Sequence, residues 1–158
     1  MRPTERIKEA QRVLEAEARA IFASSKKISL NFSKCIDLII DCKGTVVISG
    51  IGKSGNIGKK ITSTLASLGT PSIFLHTSDA FHGDLGILRR DDLLICISNS
   101  GETDELVRLL NYAKRNDIKS IAITGNVNST ISKEASISLN SSVESEACPL
   151  NLAPTCST

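Results

Sequence analysis

Two short polar segments carry most of the chemistry in this chain. Gly50-Ile-Gly-Lys-Ser-Gly55 follows the apolar, β-branched run Thr45-Val-Val-Ile-Ser49, and Ser98-Asn-Ser-Gly-Glu-Thr103 follows Leu93-Leu-Ile-Cys-Ile97. Each reads as a strand–loop–helix unit whose loop aims hydroxyls and backbone N–H groups at a helix N-terminus. The first N–H groups of a helix have no partner and its dipole favours negative charge there, so such loops bind anions. A cap uses one hydroxyl. The second segment offers three, on Ser98, Ser100 and Thr103, plus the amide of Asn99. That set suits the three peripheral oxygens of a phosphate monoester. The first segment matches G-x-G-x-x-G literally, but the acidic residue that a dinucleotide site needs about 20 positions on is missing. The second predicted strand ends Phe74-Leu-His-Thr77, and Asp79 falls past it. A Walker A loop would need glycine where Val47 stands. A tight turn accounts for the glycines, though not for Lys53 and Ser54. The pattern therefore points to a phosphorylated ligand other than a nucleotide.

Titratable residues fall on the same side. His76 and His82 are the only histidines, and both follow the second predicted strand. His82 opens the polar turn His-Gly-Asp-Leu-Gly86 and has the right chemistry for acid–base work near neutral pH. Glu105 sits in the first turn after the second loop, where a carboxylate complements the helix dipole. Glu146 lies in a loop after the last predicted strand. It is either a solvated surface charge or a base for a proton α to a carbonyl. The five cysteines, at 35, 42, 96, 148 and 156, are odd in number and show no CxxC spacing. They read as small apolar thiols in a reducing cytoplasm rather than as a disulfide framework or zinc site.

These residues need a scaffold, and the hydrophobic pattern supplies one. Helices are expected over 4–25, capped by Thr4, with Ile7, Ala10, Leu14, Ala18 and Ile21 as the buried stripe, and over 28–42, with Ile28, Phe32, Cys35, Ile36 and Ile39 on one face. Strands follow at 45–49, 72–75, 92–97, 119–123 and 136–140, and helices at 56–68, 103–116 and 129–134. The strand runs are continuously apolar rather than alternating, as in a parallel sheet covered on both faces. The expected fold is α/β, a doubly wound five-stranded parallel sheet preceded by two helices, with ligands at the carboxyl ends of the strands.

The 158 residues suit one domain, with 1–42 a helical segment and 45–158 the binding core. A net charge of +2 and 3% aromatic residues, none of them Trp, disfavour a nucleic-acid partner. No apolar run is long enough to span a membrane, and no signal peptide is visible. The tail Pro154-Thr-Cys-Ser-Thr158 has the composition of a helix start. It reads as a domain cut before its last helix, with lower stability and activity as the expected consequence.

Together these residues resemble the sugar isomerase (SIS) domain family, and within it the arabinose-5-phosphate isomerases of lipopolysaccharide sugar biosynthesis. The resemblance is carried by Gly50-Ile-Gly-Lys-Ser-Gly-Asn-Ile-Gly58, Gly69-Thr-Pro71, His82-Gly-Asp-Leu-Gly86, Ile97-Ser-Asn-Ser-Gly-Glu-Thr103 and Glu146-Ala-Cys-Pro-Leu-Asn-Leu-Ala-Pro-Thr155. It implies an αβα sandwich that interconverts ribulose 5-phosphate and arabinose 5-phosphate. It implies phosphate binding by Ser54, Ser98, Ser100 and Thr103, with Asn99 nearby. It places Lys53, Glu105 and Glu146 in catalysis, and Gly69, Thr70 and His82 against substrate; His82 joins the catalytic set on its own acid–base chemistry. It gives His76 a metal contact at which a divalent ion inhibits and is not required. It also implies a cytoplasmic homotetramer with sites built between subunits. The family's final helix, a later catalytic histidine and the paired regulatory CBS modules of many members are not in this sequence. The mechanism expected is proton abstraction by Glu146 to a cis-enediol(ate), with His82 shuttling the proton and Lys53 stabilising the oxyanion. The alternatives are a sugar-phosphate sensor without catalysis and an isomerase for another sugar phosphate.

Overall fold

The computed structural model describes residues 2–157. Helix α1 (Pro3–Ser25) and helix α2 (Leu30–Ile40) precede five strands, β1 (Val46–Gly50), β2 (Ser72–Phe74), β3 (Leu93–Ile97), β4 (Lys119–Thr124) and β5 (Ile137–Asn140). Helices α3 (Gly52–Ser67), α4 (Thr77–Phe81), α5 (Asp104–Arg115) and α6 (Thr130–Glu134) connect them, and a 3-10 turn covers Asp84–Ile87. All pairings are parallel and the strand order is β2-β1-β3-β4-β5. The expected sheet is present with all five strands.

Side chains alternate between two cores. Val46, Ile48, Leu93, Ile95 and Ile121 pack with Cys35, Leu38 and Ile39 of α2 and Ile61 and Leu65 of α3. Val47, Leu94, Cys96 and Ala122 pack with Leu106, Leu109 and Leu110 of α5 and Ile131 of α6. So α3 covers one face and α5 the other, and β1 and β3, which feed them, lie side by side with Gly50 opposite Ile97. From β1 the chain moves one way along the sheet and from β3 the other. The carboxyl ends of this pair are the topological switch point, where open α/β sheets leave a crevice for ligand.

The helix boundaries differ from the pattern in instructive ways. Helix α3 starts at Gly52, not 56, so Lys53 and Ser54 sit in its first turn rather than in a loop. This early start needs Gly55, because a Cβ there would stand 2.7 Å from the backbone oxygen of Gly50. Pro3 occupies the first helical position of α1, so Thr4 is not its cap; the Glu5 carboxylate accepts instead from the Arg2 N–H at 2.7 Å. Helix α2 begins after Ser29, whose hydroxyl accepts from the Asn31 N–H at 3.3 Å. The polar turn expected at 82–86 runs into the 3-10 turn, and α4 before it was not expected.

The apolar stripe of α1 points the other way from expectation. Ile7, Leu14, Ile21 and Phe22 are 59–72% exposed. The inward face is polar and small: Arg12, Ala16, Ala20 and Ala23, with Lys27 just past the helix, lie along Ser142–Glu146. Arg12 donates to the Ala147 carbonyl at 2.7 Å, and Lys27 donates to the Ser142 carbonyl and, at 2.8 Å, to its hydroxyl. Polar anchoring, not burial of the stripe, fixes the helix. On α2 only Cys35 is fully buried; Phe32 and Ile36 stay exposed, as does Ile28, which lies before the helix.

Candidate active site

The first turn of α3 follows Ile51, which cannot cap it, and no side chain does. Its leading N–H groups are therefore open toward the crevice. Beside them the segment after β3 folds back tightly. Gly101 holds φ +69°, and a side chain there would strike the Ser129 hydroxyl. The Ser98 hydroxyl lies 2.9 Å from that of Thr103 and 3.4 Å from that of Ser100, and accepts from the Gly101 N–H at 3.1 Å. Thr103 precedes α5 but its hydroxyl does not cap the helix. Three hydroxyls thus converge for reasons that capping α5 does not explain. Asp104 and Glu105 complement the α5 dipole from its first turn.

A cavity of about 300 Å³ opens at this edge. Lys53, Ser54 and Asn99 form one side, and Ser145, Glu146, Asn151, Leu152, Pro154 and Ser157 form the other. The second side belongs to an irregular segment after β5, tied down through Glu146. The Glu146 carboxylate accepts from the N–H groups of Thr155 and Cys156 at 2.7 Å each, from the Thr155 hydroxyl at 2.9 Å, and from the Ser157 hydroxyl. Burial alone would raise its pKa, but these hydrogen bonds outweigh it and hold the carboxyl down at about 2. Four backbone N–H groups, led by that of Ala153, similarly lower the Cys148 thiol, whereas burial pushes the Cys96 thiol up.

The residues singled out from sequence divide into groups. Lys53, Ser54, Asn99 and Glu146 share the cavity, and Ser98, Ser100 and Thr103 cluster in the adjoining loop. His76, His82, Glu105, Gly69 and Thr70 do not line it. Gly69 and Thr70 follow the far end of α3, whose 16 residues span about 24 Å. His82 ends α4 exposed, and the next residues, Gly83 and Asp84, border a different cavity with Gly44 and Thr45 at the amino end of β1. His76 precedes α4 and its Nδ1 accepts from the Ser78 N–H at 3.3 Å, leaving one ring nitrogen for a metal. Among the described residues no three His, Cys, Asp or Glu side chains gather to hold one. Asn151, Thr155, Ser157 and Arg12 were not anticipated. A helix start is a set of N–H donors, so Thr155–Ser157 near an acid was a usable signal; nothing in the sequence marks Arg12.

Residues 38–158 match the model of the SIS domain. The chain belongs to the SIS domain family. It is 49% identical over 152 residues to arabinose 5-phosphate isomerase KdsD of Pseudomonas aeruginosa, covering 96% of this chain and 47% of that protein. It is 48% identical over 153 residues to arabinose 5-phosphate isomerase KpsF of Escherichia coli O6:H1, covering 96% and 47%. The chain thus spans about half the length of the curated relatives it matches. Among solved structures, an E. coli CFT073 protein in complex with arabinose 5-phosphate superimposes with TM-score 0.93 at 38% identity, over 99% of this chain and 83% of that one. A Listeria monocytogenes structure gives 0.95 at 35%, again over 99% and 83%.

The Glu146 network makes the segment sensitive to acid. A carboxyl whose folded pKa is depressed contributes stability above its ordinary value near 4.5, and that contribution disappears as pH falls toward about 2. The stability difference between the protein and Glu146→Gln should therefore be constant above pH about 5 and shrink below it. Carbon-detected NMR titration of Glu146 should give a midpoint near 2; a midpoint at the ordinary carboxyl value would contradict the network.

Proposed function

We propose that the protein is an aldose–ketose isomerase that interconverts D-ribulose 5-phosphate and D-arabinose 5-phosphate, serving lipopolysaccharide sugar synthesis. The observation that carries this reading is the cavity at the switch point, where Lys53, Ser54 and Asn99 stand next to the three converging hydroxyls. The names of the relatives and the sugar-phosphate-bound neighbour support the choice of sugar. Phosphate is held by Ser54, Ser98, Ser100 and Thr103 with the N-terminal turns of α3 and α5. This non-reacting handle supplies the binding energy that orients the reacting carbons. Removal of the proton beside the carbonyl gives a cis-enediol(ate), whose oxyanion the Lys53 ammonium stabilises. The proton then returns at the neighbouring carbon.

Proton transfer falls to groups of the set that are not already committed, Glu105 and His82, both exposed on their own chain. Neither lines the cavity that holds Lys53, so a second copy completes the site, with Gly69 and Thr70 joining from that copy as substrate contacts. The exposed stripe Ile7, Leu14, Ile21 and Phe22 offers the apolar surface for assembly into a homotetramer. No cofactor is needed, and a divalent ion on His76 inhibits. No described helix is long and apolar enough to cross a membrane, and the five free cysteines suit a cytoplasmic protein.

Calorimetry with arabinose 5-phosphate, alongside an assay of its conversion to ribulose 5-phosphate, tests the reading. Ser54→Ala with Ser100→Ala should weaken binding by roughly 2–4 kcal/mol, since each removes a hydrogen bond to a charged group; unchanged affinity would overturn the phosphate site. Tight binding with no conversion would leave a sugar-phosphate sensor. Light scattering should show an assembly that Leu14→Asp disrupts together with turnover, and an active monomer would refute the shared site.

A further inference from the structure

We propose that Glu146 is a positioning residue, not the base: its carboxylate latches residues 147–157 across the cavity and so builds the wall against which the sugar lies. The proposal rests on the reading of that cavity as the sugar-phosphate site. After β5 no described residue lies in a helix or strand, so the wall has no backbone ladder to hold it. Its order comes from a few side-chain bonds, most of which meet at one carboxylate.

A carboxylate offers about four lone-pair sites. One Glu146 oxygen accepts from the Thr155 N–H, the Thr155 hydroxyl and the Cys156 N–H, at 2.7, 2.9 and 2.7 Å, with the Ser157 N–H at 3.4 Å. The other accepts from the Ser157 hydroxyl. The backbone around Glu146 closes the same loop from the other side. The Glu146 N–H donates to the Asn151 side-chain oxygen at 2.7 Å, and the Ala147 N–H donates to the Thr155 hydroxyl at 2.8 Å. Asn151 itself sits at φ +52°, a conformation that asparagine tolerates better than most residues. Arg12 fixes the next carbonyl, that of Ala147, at 2.7 Å, so α1 holds the foot of the latch.

A general base needs a free lone pair within hydrogen-bond reach of the proton it removes. The oxygen that holds Thr155 and Cys156 is filled by its donors, and the other already holds the Ser157 hydroxyl; emptying the first would free Asn151, Leu152, Pro154 and Ser157, which form the cavity wall. Glu146 therefore acts on the reaction through the wall that it places.

The test compares Glu146→Gln and Glu146→Ala with Thr155→Val and Ser157→Ala, which remove donors but leave any base intact. If the latch is right, the donor variants and Glu146→Ala raise KM for arabinose 5-phosphate by about tenfold or more with a smaller fall in kcat. Amide hydrogen exchange across 150–157 speeds up about tenfold in the same variants. Glu146→Gln, which keeps an acceptor oxygen for the backbone N–H groups, recovers most of both. The proposal fails if Glu146→Gln abolishes turnover, about a thousandfold or more, while its amide exchange and the kinetics of the donor variants match the parent. A parent protein that neither binds nor isomerises the sugar would defeat the functional reading alone. The exchange data would still decide the latch, with unchanged protection at 150–157 in Glu146→Ala and Ser157→Ala overturning it.

Discussion

The molecule is organised around one constraint: two neighbouring parallel strands must deliver two helix N-termini to one edge from opposite faces of the sheet. β1 and β3 are paired along their whole length, yet α3 packs on one core and α5 on the other. Backbone N–H groups in the first turn of a helix cannot be satisfied within it. Placing two such turns side by side concentrates unpaired donors where no loop side chain caps them, at Ile51–Ser54 and Thr103–Glu105. The close fit of Gly55 against Gly50 and the tight turn at Gly101 follow from bringing these turns in. A side chain at Gly55 would strike the Gly50 backbone, and one at Gly101 the side chains of Ser129 and Thr124.

The wall facing this edge is built by different physics. Residues 141–157 lie outside the described helices and strands, and polar side chains tie them down. Arg12 reaches out from α1 and Lys27 from the turn just after it, and Glu146 gathers the donors of Thr155, Cys156 and Ser157. This use of α1 explains its orientation. A helix that spends its polar face on a loop must present its apolar face elsewhere, and here that is solvent. Patches of this kind mark interaction sites more often than chance. The same arrangement links the cavity wall to the outer surface of α1 through one arginine.

The sheet was legible because its signal is local. Continuous runs such as Leu93–Ile97 can only be covered on both faces, and the order of strands and helices then prescribes the crevice. The hydroxyl cluster was legible for the same reason, since Ser98, Ser100 and Thr103 lie within six residues. Other features were not. The period of α1 reveals which residues share a face but not which face turns inward, because that depends on Arg12 and Lys27 meeting a loop more than a hundred positions away. The start of α3 was misplaced because glycines read as loop, while here they permit close packing inside a first turn. On sequence alone Glu146 reads as either a solvated surface charge or a base. Its occupation by Thr155–Ser157 is a tertiary fact. The distance of Gly69, Thr70 and His82 from Lys53 was invisible for a similar reason, since sequence spacing does not tell which edge of a sheet a loop returns to.

The central claim is that this edge grips a pentose phosphate so that a proton next to its carbonyl can be moved. Incubation of the protein with ribulose 5-phosphate in deuterated water measures that step directly. The account predicts arabinose 5-phosphate carrying deuterium at carbon 2, as an enediol reprotonated from exchanged solvent requires. Ribulose 5-phosphate that binds in the cavity yet returns unconverted and free of deuterium would contradict it.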